Sequence, residues 1–560
     1  MRQRFAAWGG GVAGALLLLG VGSCAPAPAP ETAPSAPAAP VGAAAPVDKP
    51  QPKQGGVLVY SCTTAPVNLN VYVSNGPAEE RTLGTVYETL FHLRHELDVD
   101  YRIDYEVLPW LVERWESRDP KTFILSLRKG VKWHDGQEFT ADDVEFSVRY
   151  GMDPANNFRA RSLQFRYVDS AKVLDRYTVQ LNAKQAVPDF ISALGDRGAF
   201  IMPKHVLDRG DDFKKVAVGT GPFKLKDFDP NQGSLVVKNP DYWQAGRPFI
   251  DGIRCQYGMQ AQHETAAFVA GQLDILHAND RVQLQTLQRS AQGLQSSSIT
   301  VQSGLAILPK LSKKPFDDVR VRKAIHLAVD RQGLKAAALF GDGVINPPGM
   351  PGDKPGWAIP QEELLTLPGY RQPKEPDIAE GKRLMAEAGL AGGLKTTMLY
   401  GTNLTLGVRV AEPLQAQLAK IGLEVTLRPL PIAEARAEEE KGAFELLVQN
   451  TADHEIKYQY EQLHSKGTRY NDIDDQVLDA LLDRAAGSLD LADRKKAGLE
   501  MQRLLLEKNY IVPTIAPLSF PMWQRWVFDY VPEPSNVNRM TRSQGYRIWM
   551  DVEKMPPDRR

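Results

Sequence analysis

Leu127-Arg128-Lys129-Gly130-Val131-Lys132-Trp133-His134-Asp135-Gly136 leads, through Gln137 and Glu138, into Phe139-Thr140-Ala141-Asp142-Asp143-Val144. Its alternating apolar residues, extended back to Phe123, predict a strand that turns at Lys129-Gly130 and a second strand that ends at Asp135-Gly136. Thr140 suits the N-cap of a following helix, with Asp142 and Asp143 in the positive first turn. Trp133-His134-Asp135 sets an imidazole beside a carboxylate. However, the tight Asp-Gly turn and the absence of an HxH or HxxxH partner favour a folded corner over a metal or catalytic site.

Outward from this block, the same strand and helix grammar continues. Upstream, Gly55-Gly56-Val57-Leu58-Val59-Tyr60-Ser61 reads as a first strand, and Thr85–Phe91 as a short helix with Val86 and Leu90 on one side. Downstream, Gly219–Trp243 holds two strands, Phe223–Phe228 and Leu235–Lys238, joined by a Pro-Asn-Gln-Gly turn. Gly219-Thr220-Gly221-Pro222 is no phosphate loop: it lacks the GK[ST] ending and precedes a strand. Residues 261–276 read as helix then strand, broken near Gly271. Asp317 and Asp318 cap a helix in which Val321, Ala324, Ile325 and Ala328 recur at helical spacing. Helix and strand alternate again through residues 378–390, 410–427 and 442–449, and no internal repeat stands out. This order argues for α/β lobes.

The chain has 560 residues, more than one core usually supports, so two or three substructures are expected. Lys+Arg total 67 against 68 Asp+Glu, and no long basic run supplies the face a nucleic acid needs. At the N-terminus, Arg2 and Arg4 precede an apolar stretch centred on Leu16–Leu19, and Val21-Gly22-Ser23 leads into Cys24. This is the pattern of a secretory signal, too short and too rich in glycine for a membrane span. Val-Gly-Ser-Cys also resembles a bacterial lipobox, whose cysteine sulfur accepts diacylglycerol. Residues 25–50 are a Pro/Ala repeat that cannot bury a core and favours an extended spacer. Residues 1–23 are therefore read as signal peptide and 24–54 as lipidated cysteine plus linker. The remaining cysteines, Cys62 and Cys255, each follow a strand-like run; a disulfide and two buried thiols are both compatible with export.

Several blocks, in order, resemble the oligopeptide/dipeptide/nickel-binding family of bacterial extracellular solute-binding proteins, the capture components of ABC importers. The opening block matches "LRkGvkWHDG…fTAeDV". Gly219–Phe223 with Asn239-Pro240-Asp241-Tyr242-Trp243 matches "GTGPy…NPdYW", and Pro315–Ala324 with Asp330-Arg331 matches "pFdDvRVRkA…DR". Looser echoes at 386–389, 421–425 and 511–513 extend the resemblance over nearly the whole chain from Gly55 onward. It implies an α/β, two-lobed periplasmic-binding-protein fold of class II type with an inserted subdomain. Lobe I would comprise 55–90, 201–276 and 509–560, the insertion 91–200, and lobe II 277–508. It implies a monomer without cofactor or metal that delivers a small solute to ABC permease subunits with their ATPases.

The family's cleft falls on three segments: Ser74-Asn75-Gly76-Pro77, His277-Ala278-Asn279-Asp280, and Asn450-Thr451-Ala452-Asp453-His454. Peptide-binding members carry in the third an aspartate that pairs with the ligand's α-amino group. An ungapped count from Phe444 puts His454 in that slot, and a one-residue slip puts Asp453 there. The family's upstream tryptophan is replaced by Asn450-Thr451, and the aromatic strand of some oligopeptide binders is Gly304–Pro309 here. Peptides lead the ligand classes, ahead of oligosaccharides, metal chelates and other small polar solutes. An exported lipoprotein hydrolase, or a chaperone or sensory receptor on the same fold, is the alternative. The Gly-x-Ser-x-Gly elbow, the His-Glu-x-x-His zinc helix and a Ser-x-x-Lys acyl-enzyme motif with its companions are not found.

Overall fold

Val57–Cys62 is buried along almost its whole length, as a strand must be when both sheet faces are covered. In the computed structural model it lies inside an eight-stranded sheet. The structure describes residues 50–560 apart from 63, 74–76, 95–105, 157, 159–164, 197, 279, 301–303, 351–355, 403–404, 451–455, 468–471 and 533–544. Pro52–Arg560 forms one compact unit.

Val57–Cys62 pairs in parallel with Gly252–Tyr257 on one side and Ile275–Ala278 on the other. Gly233–Lys238 and Phe223–Asp229 extend the sheet beyond the first neighbour. Leu518–Trp523 extends it beyond the second and carries Gln295–Ser296 and Ile299–Thr300. Cys62 and Cys255, on adjacent strands with Cα atoms 5.8 Å apart, are joined as a disulfide.

A four-stranded antiparallel sheet runs in the order Val112–Asp119, Thr122–Leu127, Thr178–Ala183, Val168–Asp175. Alternate residues of Thr178–Ala183 are buried, the mark of a sheet with one wet face. The helix Ala141–Met152 covers the other face, and Thr140 N donates to Asp143 Oδ2 at its start. The apolar core beneath this sheet (Phe123, Leu125, Val179, Leu181, Phe190) is continuous with that of the first sheet (Leu58, Tyr60, Val236, Ile253).

The second lobe is built on a five-stranded sheet ordered Leu423–Leu430, Leu394–Gly401, Leu446–Asn450, Leu305–Pro309, Val512–Pro513, the first three parallel. Its core takes Val321, Ala324, Ile325 and Ala328 from the helix Val319–Ala328, the spacing read from sequence. The chain passes between the two large sheets twice. The first passage lies between Ile299–Thr300 and Leu305–Pro309. The second lies between Val512–Pro513 and Leu518–Trp523, where Ile515–Ala516 pairs with Val344–Ile345. The architecture is the two-lobed α/β fold expected of the sequence.

Two local expectations fail. Thr85–Phe91 is not a helix; the short helix is Pro77–Leu83, and Thr85–Leu90 is irregular up to the strand Phe91–Arg94. Its carbonyls are taken by other segments: Thr85 O by Phe223 N, Val86 O by Gly221 N and Glu88 O by Ile201 N. The second strand predicted up to Gly136 is a tight corner with a single bridge between Lys132 and Glu138. In both places tertiary partners outbid local pattern.

Candidate ligand cleft

In open α/β sheets, ligands bind beyond the carboxyl ends of the parallel strands, where loops are free to diverge. In the first sheet those ends are Cys62, Tyr257 and Ala278, followed by the helices Pro77–Leu83, Ala261–Val269 and Arg281–Ser290. In the second they are Gly401, Leu430 and Asn450. Of the segments singled out by sequence, His277 and Ala278 end the strand Ile275–Ala278 and so lie at such an edge. Asn75, Gly76, Asn279, Asp453 and His454 lie outside the described residues, as does Cys24, and Pro77 opens its helix.

His277 is the described side chain with the clearest site character. It alternates with Leu276 and Ala278, which pack into the opposite apolar cluster, so its ring takes the face shared by Tyr60 and Ile275. Nδ1 lies 3.1 Å from Ser519 Oγ, while Nε2 is buried and has no partner among the described residues. Burial, reinforced by the Arg81 guanidinium, pulls the imidazole down to about 4, so it is neutral at pH 7. A neutral ring with one nitrogen unspent can offer a hydrogen bond without bringing a charge. Around it, Tyr60 OH donates to Arg81 O at 2.7 Å, and Thr82 Oγ1 meets Tyr257 OH at 2.7 Å. Asp280 caps the next helix by accepting from Gln283 N at 2.9 Å and pairs with Arg409 of the second lobe at 3.6 Å.

The signature blocks are fastenings, as their sequence suggested. His134 spends both ring nitrogens on the Gly-Thr-Gly-Pro turn: Gly219 N donates to Nδ1 at 3.2 Å, and Nε2 donates to Gly221 O at 3.0 Å. Burial pulls this imidazole down to about 4 as well. The glycines are required by close approach: a Cβ on Gly219 would stand 1.8 Å from Val86 O, and one on Gly221 2.4 Å from Thr85 O.

Glu88, which no local pattern marks, is the hub of the Gly219–Trp243 block. Its carboxylate accepts from Trp110 Nε1 (2.7 Å), Tyr242 OH (2.8 Å), Thr220 Oγ1 (2.8 Å) and Trp243 Nε1 (3.1 Å). Burial nevertheless pushes the carboxyl up to about 7, overcoming four hydrogen bonds that favour the ionised form. In the second lobe, Arg331 of the Asp330-Arg331 pair is buried against Tyr370, 4.0 Å from the ring centroid. It donates Nε to Pro513 O at 2.8 Å, which fixes the second passage between the sheets. Sequence gave no sign of these partners, because each lies far along the chain.

Among the described residues, no group of three or more His, Cys, Asp or Glu side chains is placed to hold a metal ion. No helix there is long and apolar enough to cross a membrane.

Comparison with known proteins follows the same lines. Glutathione-binding protein GsiB of Salmonella choleraesuis (strain SC-B67) is 27% identical over 375 residues, covering 66% of this chain and 69% of that protein. The oligopeptide-binding protein AppA of Bacillus subtilis, solved with a nonapeptide, superposes with a TM-score of 0.71 at 22% identity, over 89% of this chain and 100% of its own. The ABC transporter substrate-binding protein CtaP of Listeria monocytogenes gives 0.75 at 19% identity, over 89% and 100%. The model of the bacterial extracellular solute-binding proteins, family 5 (middle), matches residues 106–464. With most of both lobes' signature blocks inside that span, the chain belongs to the family 5 bacterial extracellular solute-binding proteins.

Proposed function

We propose that this family 5 solute-binding protein captures a short peptide between its lobes and hands it to ABC permease subunits driven by ATPases. Cys24 carries the lipid that holds it at the membrane, and the Pro/Ala-rich linker spaces the binding unit from the surface. Residues 55–90, 201–276 and 509–560 form lobe I, 91–200 the inserted subdomain and 277–508 lobe II. From lobe II, Gln295–Ser296 and Ile299–Thr300 reach back to pair with Leu518–Trp523. The protein works as a monomer that closes on its ligand by the ligand's greater affinity for the closed form.

The observation that carries the ligand class is the likeness to a relative named for glutathione, itself a tripeptide, over two thirds of both chains. The topology supports it, since His277 lies at the carboxyl end of Ile275–Ala278, and we assign the ligand's other contacts to Asn75, Gly76, Pro77, Asn279, Asp453 and His454. The unspent Nε2 of His277 supports a hydrogen-bonding role toward the peptide. Native mass spectrometry of freshly purified protein tests the class directly. A co-purifying species with peptide mass, displaced by added peptide, is the expected result. A bound oligosaccharide or metal chelate would replace peptide as the cargo.

A further inference from the structure

Arg494 lies near the start of the helix Leu491–Lys508 and is 6% exposed. Its Nε donates to Ala485 O at 3.0 Å, and its guanidinium stands 5.7 Å from the ring centroid of Trp357. Trp357, Ala485 and Ala497 form an apolar cluster of the second lobe. Lys495 approaches the same indole at 5.8 Å, so two cations attend one aromatic ring. Arg494 Nη2 meets Asp189 Oδ2 at 3.0 Å, its one carboxylate partner among the described residues.

Asp189 belongs to the other body. It precedes Phe190, which is 1% exposed and stacks on Phe123 of the four-stranded sheet at 4.5 Å with ring planes 15° apart. Ala193 N and Ser192 Oγ both bond to Asp189 O, so the backbone that presents the carboxylate is held in its own helical turn, which the Phe190 stack seats on that sheet. The carboxylate itself makes no cap bond to its own helix. Tyr167, beside the same sheet, also lies within electrostatic range of Tyr460 in the second lobe. The two bodies share no strand and have separate cores.

We propose that Asp189 and Arg494 form a latch holding the inserted sheet against the second lobe, which stabilises the closed arrangement. The proposal rests on the reading of this chain as a two-lobed receptor that closes, but not on its cargo. A contact made only when two bodies meet adds to the stability of that state alone. When they part, the Arg494 cation keeps Ala485 O and the Trp357 face but loses its counter-charge, so separation is disfavoured in proportion to its burial. The Trp357 ring makes the parted state tolerable, and the latch is therefore reversible.

Spin labels on Leu174→Cys of the four-stranded sheet and Leu489→Cys of the second lobe, both exposed sites, report the separation by pulsed electron resonance in the full chain. Without ligand, Asp189→Asn is expected to raise the long-distance fraction at least about threefold, and Asp189→Glu to restore it partly. Raising NaCl from about 0.05 to 0.5 M is expected to shift the parent protein the same way and Asp189→Asn less, because the variant lacks this charge pair while Asp280–Arg409 remains in both. Identical distance distributions for parent and Asp189→Asn, or an equal salt response in both, overturn the latch. A glutathione arm separates the two claims. No closure with glutathione counts against the cargo, while the ligand-free arm still decides the latch.

Discussion

Arg559 and Asp274, 285 residues apart in sequence, form a two-pronged ion pair: Nη2 to Oδ2 at 2.8 Å and Nη1 to Oδ1 at 3.0 Å. The Asp274 carboxylate is completely buried and also accepts from Val59 N and Trp526 Nε1, each at 2.7 Å. Arg559 donates further to Val57 O and Gly271 O. One carboxylate thus ties the C-terminal segment, the first strand and the approach to His277 together.

Arg559→Met leaves that carboxylate buried and uncompensated. Breaking such a pair from one side costs about 3–5 kcal/mol. Urea unfolding of the purified protein should show a stability loss of that size, read as a lower midpoint with an unchanged slope. The double variant Arg559→Met/Asp274→Asn should recover part of the loss, because no buried charge remains.

Glu88 and the histidines His134 and His277 pull in opposite directions with pH. The Glu88 carboxyl is raised to about 7, so the folded state holds its proton longer than the unfolded chain does. That contribution falls as pH rises from about 4.5 to 7. His134 and His277 are lowered to about 4, so the folded state refuses a proton that the unfolded chain accepts. Their contributions are full above about 6.5 and fade as pH falls toward 4. On their own the two imidazoles make stability rise with pH from about 4.5 to 6.5, against Glu88 and the other raised carboxyls Asp143, Glu264 and Asp274. Glu88→Gln should steepen that rise, as measured by chemical unfolding at a series of pH values.

His134→Ala strips both ring bonds from the Gly219–Gly221 turn and opens a void beside Trp133. A loss of about 2–4 kcal/mol is expected, with ligand affinity unchanged in the molecules that remain folded. Calorimetric unfolding and titration on the same sample separate the two effects.

Asp453→Ala and His454→Ala decide which residue meets the ligand's amino group. Losing a charge-assisted pair should weaken peptide binding by about 10-fold or more, against an N-acetylated peptide that neither variant affects. Titration calorimetry with the peptide identified by mass spectrometry gives the answer, and equal binding by both variants rejects the contact.

Cys24→Ser should move the protein from the membrane fraction to the soluble one, as followed by fractionation and immunoblot. Retention in the membrane would reject the lipid anchor.

The helices and strands most legible in sequence were those whose pattern is local. Thr140 with Asp143, Asp318 before Val319, and Val321/Ala324/Ile325/Ala328 each read correctly, because capping and amphipathic spacing act within a few residues. Thr85–Phe91 misled for the converse reason: its apolar spacing is helical, but its carbonyls serve Gly221, Phe223 and Ile201. The roles of Glu88, Asp274 and Asp189 were invisible, since a lone carboxylate carries no mark of partners 132 to 305 residues away. At the cleft, sequence indicated the segments by order along the chain, and the structure places His277 of the second segment at the carboxyl end of a parallel strand. The state of His277, neutral with one nitrogen unspent, follows only from what surrounds it.

The bond between Cys62 and Cys255 closes a covalent ring of the intervening chain, 193 residues in sequence separation. All four strands of the inserted sheet, from Val112 to Ala183, lie inside that ring, as do His134, Asp189 and the Glu88 hub. A protease that nicks the ring once therefore releases nothing: both new ends stay tethered through the first sheet until a reductant opens the bridge. In an extracytoplasmic setting, where proteases are met more often than reductants, damage to this part of the receptor need not become loss of it.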